Sequence, residues 1–171
     1  MPEISIDSRQ FRVVMGRFAT GVTTITVAVD QQRRGMTANA VASLSLHPPL
    51  LLVCVDRNSS MHGIFEVAEA FAVNVLAADQ RAVSEFFAGR SGVRGATDPM
   101  GGYPYHHGPL GSPILDGTLA WVECRVSERY AGGDHTIIVG RVESMEVTRP
   151  DAGPLLFYSG RYRFIDGEIE I

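Results

Sequence analysis

Three short segments carry residue types that would do chemistry together. Gly35-Met36-Thr37-Ala38-Asn39-Ala40 sets small side chains beside hydrogen-bonding ones, so a flat ring can approach the backbone while its polar edge meets Thr37 and Asn39. Val53-Cys54-Val55-Asp56-Arg57-Asn58-Ser59-Ser60 runs from an apolar strand pattern to two hydroxyls at a predicted helix start. There, unpaired N–H groups and the helix dipole favour a phosphate. Gly133-Asp134-His135-Thr136 places one imidazole at the edge of a predicted strand. A flat polar-edged heterocycle, a phosphate and a nearby imidazole are what a flavin site needs.

Each segment alone has a plainer reading. Ser-Ser before a helix is a capping signal, Asp134 suits a turn, and His135 suits a structural histidine beside that turn. Tyr103, Tyr105, His106 and His107 gather on one loop, but adjacent histidines in a loop point apart more often than they chelate. Phe86-Phe87 reads as core at helical spacing. Cys54 and Cys124 lack C-x-x-C spacing and read as unpaired thiols. No GxGxxG links a strand to a helix, so any nicotinamide use must rely on a geometry other than the Rossmann fold.

The elements that must position these residues follow from periodicity. Asp7 or Ser8 caps a helix carrying Phe11, Val14, Met15 and Phe18 at helical spacing, ending near Gly21. Residues 22–29 alternate as a strand, 33–35 make a turn, and 36–46 form a second strand stopped by His47-Pro48-Pro49. A buried strand over 50–55 precedes a short helix capped by Ser59 or Ser60, with Met61, Ile64, Phe65 and Ala68 inward. A strand over 71–76 and a helix over about 79–87 follow. Residues 89–113 show no sustained period and read as a long functional loop. The longest strand patterns, 118–129 and 135–147, flank a hairpin turn at 131–134, and 155–158 adds one more. Many strands joined by tight turns, with few helices, predict a mainly β chain: an antiparallel β-barrel with peripheral helices.

Composition sets the class. At 171 residues the chain is expected to be a single domain, with a core over about 11–164. Its net charge of −4 and the lack of any basic cluster larger than Arg33-Arg34 argue against a nucleic-acid partner. All 15 basic residues are arginines, which excludes a Schiff-base lysine and a Walker-type phosphate loop. Apolar runs are too short to span a bilayer, and residues 1–10 lack the form of a signal peptide, so a cytoplasmic protein with no membrane partner is expected.

Taken in order, Phe11-Arg12, Met15-Gly16, Phe18-Ala19-Thr20-Gly21-Val22-Thr23, Gly35 to Asn39, Ser43-Leu44-Ser45-Leu46, Pro48-Pro49-Leu50, Val53 to Arg57, Phe71-Ala72-Val73-Asn74-Val75-Leu76, Leu115-Asp116-Gly117, Gly133 to Thr136 and Pro154-Leu155-Leu156 resemble the flavin reductase-like, FMN-binding split-barrel family. Within it, the pattern is similar to the small reductase components of two-component flavin-dependent monooxygenases. The resemblance covers Phe11 to Phe164.

It implies a Greek-key-like split β-barrel, a homodimer with the flavin near the subunit interface. The implied activity is NAD(P)H:flavin oxidoreduction. A hydride would pass from NADH or NADPH to FMN, or to FAD, and the reduced flavin would leave for a separate oxygenase. Carried onto matching positions, Met36, Thr37, Ala38, Asn39, Val53, Cys54, Val55, Asp56, Arg57, Asn58, Ser59 and Ser60 line the flavin, with the two serines near its phosphate. Phe87, Ala88 and Arg90 close the same end. His135 is the implied catalytic residue on the nicotinamide side, oriented by Asp134, and Tyr158, Arg161 and Tyr162 touch the nucleotide. Ala40 departs from the serine frequent in the family, and 92–111 matches poorly. The rival readings are a same-barrel flavoprotein that retains its flavin, a flavin-binding electron carrier or sensor, and a dimeric barrel with no cofactor.

Overall fold

β-Branched alternation decides most of the architecture. The computed structural model describes residues 6–89 and 98–165. It opens with α1 (Ser8–Met15), whose N-terminus is capped by the Asp7 carboxylate accepting the Arg9 N–H at 2.9 Å. There follow β1 (Thr20–Gly21), β2 (Thr23–Val29), β3 (Gln32–Ala38), β4 (Val41–Leu46), β5 (Pro49–Asp56), α2 (His62–Val67) and β6 (Ala70–Val75). A 3-10 turn at Ala78–Gln80 leads into α3 (Arg81–Phe87). The remainder is β7 (Tyr105–His107), β8 (Pro113–Leu115), β9 (Ala120–Gly132), β10 (His135–Val147), β11 (Leu156–Tyr158) and β12 (Arg161–Arg163).

Seven strands form one antiparallel sheet in the order β3-β2-β6-β9-β10-β5-β4. Its two edge strands are consecutive in the chain, joined only by Asn39 and Ala40, so the sheet must curl until its edges meet. The core shows the same closure. Ile25, Val27, Val53, Val55, Phe71 and Ile138 pack together with Ala38 of β3, and Val41 of β4 rests on the same cluster. A second cluster, built around Val22, Leu76, Val83, Phe87, Leu115 and Leu155, fills the space under α3. The barrel is therefore split, with its seam at the bend between β3 and β4.

Several elements differ from the sequence reading, each for a physical reason. The strand predicted over 36–46 breaks at Asn39–Ala40, and the turn predicted at 33–35 lies instead at Asp30–Gln31. Asp30 takes φ 52, a left-handed value that aspartate tolerates. α1 stops at Met15 and buries none of its residues, so among the described residues nothing covers its apolar face.

The described part of the long loop contains the β7–β8 hairpin, held by contacts remote in sequence. Glu123, wholly buried, accepts the N–H groups of Leu110 at 2.9 Å and Ser112 at 2.8 Å. Asn74 donates to the Thr24 carbonyl at 3.0 Å and the Thr26 hydroxyl at 2.9 Å, and accepts the Leu115 N–H at 2.8 Å. These buried polar side chains fasten the strap to the outer face of β2, β6 and β9.

Candidate active site

Strand alternation builds one wall of the site. Along β5, Val53 and Val55 are fully buried in the core, which turns Cys54 and Asp56 to the opposite face. β10 pairs with β5 so that His135 stands opposite Asp56 and Thr136 opposite Val55. Gly133 and Asp134 make the two-residue turn from β9, with Gly133 at φ 70, as a glycine-first hairpin requires. The Arg57 N–H donates to the Asp134 carbonyl at 3.0 Å and ties this turn to the end of β5. His135 is thereby fixed at the rim.

Asp134 Oδ1 lies 2.7 Å from His135 Nδ1, and this hydrogen bond holds the Asp134 carboxyl below the usual carboxylate range. With Nδ1 donating to the carboxylate, a neutral imidazole presents Nε2 as an acceptor. Asp56 Oδ1 accepts the Asn58 N–H at 2.8 Å, and the Asp56 carbonyl accepts the Ser59 N–H at 2.9 Å. The Ser59 hydroxyl accepts the Met61 N–H at 3.1 Å, which leaves its own proton to donate.

These residues surround a cavity of about 390 Å³. The end of β3 contributes Met36, Thr37 and Ala38, with Asn39 and Ala40 at the bend. Cys54 and Asp56 come from β5, Asn58 and Ser59 from the turn beyond it, and Phe87 and Ala88 from the end of α3. His135, paired with Asp56 across β5 and β10, completes the lining. One part of the wall is small or apolar; another is polar. The Thr37 hydroxyl donates to the Ser84 carbonyl at 2.6 Å, so this side chain ties β3 to α3 and its proton is not available to a ligand. Asn39 donates its amide to the Thr20 hydroxyl at 3.2 Å and keeps its carbonyl oxygen for other partners. Burial pushes the Cys54 thiol up, so it stays neutral at physiological pH.

Other expected residues lie elsewhere. The side chains of Val53 and Val55 belong to the core, because alternation gives each strand residue only one face. Arg57 lines a separate groove with His62 and Arg129, and Ser60 is exposed outside the cavity. The predicted serine cap is corrected: α2 starts at His62, has six residues, and has Met61 at its N-cap with no side-chain capping bond. Ser59 shapes the turn before the helix, so the helix-dipole argument for phosphate does not apply there. Gly35 is also reassigned. A Cβ there would fall 2.6 Å from Phe87 Cε1, so the glycine makes room for a phenylalanine ring and not for a ligand.

Tyr162 lines a smaller adjoining cavity of about 160 Å³, which shares Thr37, Ala38, Asn39 and Ala88 with the first. Its hydroxyl lies 2.9 Å from Ser84 Oγ. Arg161 sits beyond it, and Tyr158 lines neither cavity. Arg90 lies outside the described residues. Sequence reasoning missed Ser84 and Phe157, which line the smaller cavity. Ser84, three residues before Phe87 on the buried face of α3, was the one legible signal: a polar residue at a core position.

The donor set fits a flavin: small residues at the β3–β4 bend, a polar rim of Asn39, Asn58 and Ser59, and one oriented imidazole. A split barrel with this rim cavity defines a flavin-binding barrel protein. The chain belongs to the family described as Flavin reductase like domain, whose sequence profile matches residues 15–166. It is 41% identical over 162 residues to the Rhodococcus jostii (strain RHA1) protein named flavin-dependent monooxygenase, reductase subunit HsaB, covering 95% of this chain and 80% of that one. It is 41% identical over 156 residues to FMN reductase (NADH) SmoA of Agrobacterium fabrum, covering 91% of this chain and 85% of that one. The solved structure of Streptomyces globisporus C-1027 NADH:FAD oxidoreductase SgcE6 matches with a TM-score of 0.87 at 36% identity, covering 98% of this chain and all of that one. Among the described residues, no group of three His, Cys, Asp or Glu side chains is placed to hold a metal, and no helix is long and apolar enough to cross a membrane.

Proposed function

We propose that this protein is an NAD(P)H:flavin oxidoreductase that reduces FMN, with FAD as the alternative flavin, and releases it to a separate oxygenase component. The observation that carries the reading is the cavity that joins the β3–β4 bend to His135. Relatives named as an NADH-dependent FMN reductase and as a monooxygenase reductase subunit support it.

The flavin, when bound, supplies the hydride-accepting chemistry; the protein aligns and solvates. Ala38 and Ala40 leave the bend low enough for a flat ring to lie against the backbone. The Asn39 carbonyl oxygen accepts from its polar edge. The Ser59 hydroxyl, already accepting from Met61, donates its proton to the phosphate-bearing tail. His135, its Nδ1 held by Asp134, presents Nε2 to the carboxamide N–H of the nicotinamide. Tyr162 and Arg161 receive the more distant part of the nucleotide.

We further infer a homodimer. Phe11, Val14, Met15 and Phe18 are exposed, and Met15 and Phe18 line a groove of about 520 Å³ together with Ala42, Leu52 and Cys54. That groove shares Asn39, Ala40 and Cys54 with the flavin cavity, so a second copy covering it would also complete the site. The two free cysteines and the nicotinamide co-substrate fit a reducing cytoplasm.

Steady-state oxidation of NADH and of NADPH with FMN, FAD and riboflavin in turn tests the activity. Turnover that does not depend on added flavin would refute it. Light scattering should give about twice the 18.6 kDa chain mass, and a monomer with full flavin affinity would refute the shared site.

A further inference from the structure

Glu123 is wholly buried, yet it takes no part in lining the flavin cavity. It forms no ion pair among the described residues. Its partners are backbone groups of the strap: the Leu110 N–H donates to Oε2 at 2.9 Å and the Ser112 N–H to Oε1 at 2.8 Å. The chain between them closes on itself. The Gly111 N–H donates to the Gly108 carbonyl at 2.8 Å, and the Gly108 N–H to the Ser112 carbonyl at 3.0 Å. A Cβ on Gly108 would overlap Glu123 Oε2, so this loop lies directly against the carboxylate.

From the loop, contacts lead to the wall of the site. β7 and β8 pair on either side of it, His107 opposite Pro113 and Tyr105 opposite Leu115, so a shift of the loop is also a shift of β7 and of the residues just before it. Tyr103, two residues before β7, packs edge-on against Phe86 with centroids 5.6 Å apart and tilted against Phe87 at 6.1 Å. A Cβ at Gly101 would fall 2.7 Å from Phe86 Cε1, so the strap backbone also presses on that ring. Phe86 in turn meets Phe87 at 5.0 Å, and Phe87 lines the flavin cavity.

A carboxylate is an unfavourable group to bury, because it must leave water and finds no cation in exchange. An apolar anchor would hold the loop without that penalty, but apolar contact is non-directional and lets packed groups slide. Two N–H bonds to one carboxylate are satisfied at a single loop position. We propose that Glu123 is a positioning residue for the flavin ring: its carboxylate fixes the strap, and the strap holds Phe87 in the cavity wall through Tyr103. The proposal rests on the flavin reading above and concerns the ring, not the phosphate-bearing tail.

The test uses Glu123→Gln, which keeps the shape of the side chain but turns an amide NH2 toward one of the two N–H groups. Amide hydrogen exchange is followed at Leu110 and Ser112, dissociation constants for FMN and riboflavin by quenching of flavin fluorescence, and folding by melting temperature. Val27→Ala, a substitution in the core cluster on β2, controls for lost stability alone. The expected result is exchange at the two amides faster by about tenfold or more, with FMN and riboflavin weakened by the same factor, about threefold to tenfold. Val27→Ala should leave both flavins within about twofold of the parent. Tyr103→Leu should weaken both flavins by itself, and adding Glu123→Gln to it should weaken them no further, because the link is already cut. Parental flavin affinity in Glu123→Gln, FMN weakened without riboflavin, equal losses in Val27→Ala, or additive losses in the double variant overturn the proposal. If Glu123→Gln does not fold, parental flavin affinity in Tyr103→Leu overturns it. A parent that binds neither flavin would instead refute the flavin reading, which keeps the two failures distinct.

Discussion

Replacing Gly35 by alanine tests whether a side chain in β3 shapes the flavin cavity through Phe87. The new Cβ would sit 2.6 Å from Phe87 Cε1 and 2.7 Å from Cδ1. Carbon atoms at their best separation lie about 3.5–4.0 Å apart, so the ring must retreat by roughly an ångström. It has little room, because Phe86 lies edge-on at 5.0 Å and Tyr103 at 6.1 Å, and Phe87 itself is only 8% exposed.

Two effects oppose each other. Gly35 does not have a positive φ, so alanine should stabilise by about 0.4–1 kcal/mol by restricting the unfolded chain. Overpacking a buried site costs about 1–3 kcal/mol. The clash should win, giving a net loss of roughly 1–2 kcal/mol and a melting point lower by roughly 2–8 °C in a domain of this size. Because Phe87 lines the cavity, the FMN dissociation constant should rise in the same variant. Introducing Phe87→Leu as well should relieve the overlap, so a double-mutant cycle should show coupling of about 1 kcal/mol. A Gly35→Ala protein that melts at or above the parental temperature, or a cycle that is simply additive, would refute the reasoning.

Three other outcomes are expected. His135→Ala should raise the Michaelis constant for NADH or slow flavin reduction in stopped flow, with FMN affinity nearly unchanged; a lower melting point with parental turnover would make the residue structural. Ser59→Ala should weaken FMN more than riboflavin in equilibrium binding, and equal losses would remove its contact with the phosphate-bearing tail. The Arg149 hydrogen bond lowers the Asp79 carboxyl below its ordinary 3.8, so this pair stabilises the fold above that pH and loses its contribution as pH falls through the lower folded value. Asp79→Asn should therefore be less stable than the parent in urea at neutral pH, with the gap closing in strong acid; a gap that widens in acid would contradict the sign.

Local chemistry was the legible part of this protein. The Gly133–Asp134 turn, the strands around it and the alternation of β5 are written in short-range patterns, and they alone bring His135 beside Asp56. Gly35 was misleading, because a small residue in a strand does not say which neighbour uses the space. Ser59 and Ser60 misled in another way: hydroxyls before a helix signal a cap only if the helix starts next, and here Met61 intervenes. The strap carrying β7 and β8 was illegible, since its anchors Asn74 and Glu123 sit in strands that sequence alone cannot pair with it. The full extent of the site likewise depended on Ser84 and Phe157, two residues from elements far apart in the chain.

The two-sided character of β5 also governs how this protein can change. Val53 and Val55 hold the fold, while Cys54 and Asp56, one step away on the same strand, line the rim cavity. Substitutions on the cavity side leave the packed side untouched, so the cavity can change its lining without eroding the core. Insertion or deletion of a single residue in that strand would do the opposite, exchanging the two faces and ruining core and cavity together. The strand is thus tolerant of altered spelling and intolerant of altered length.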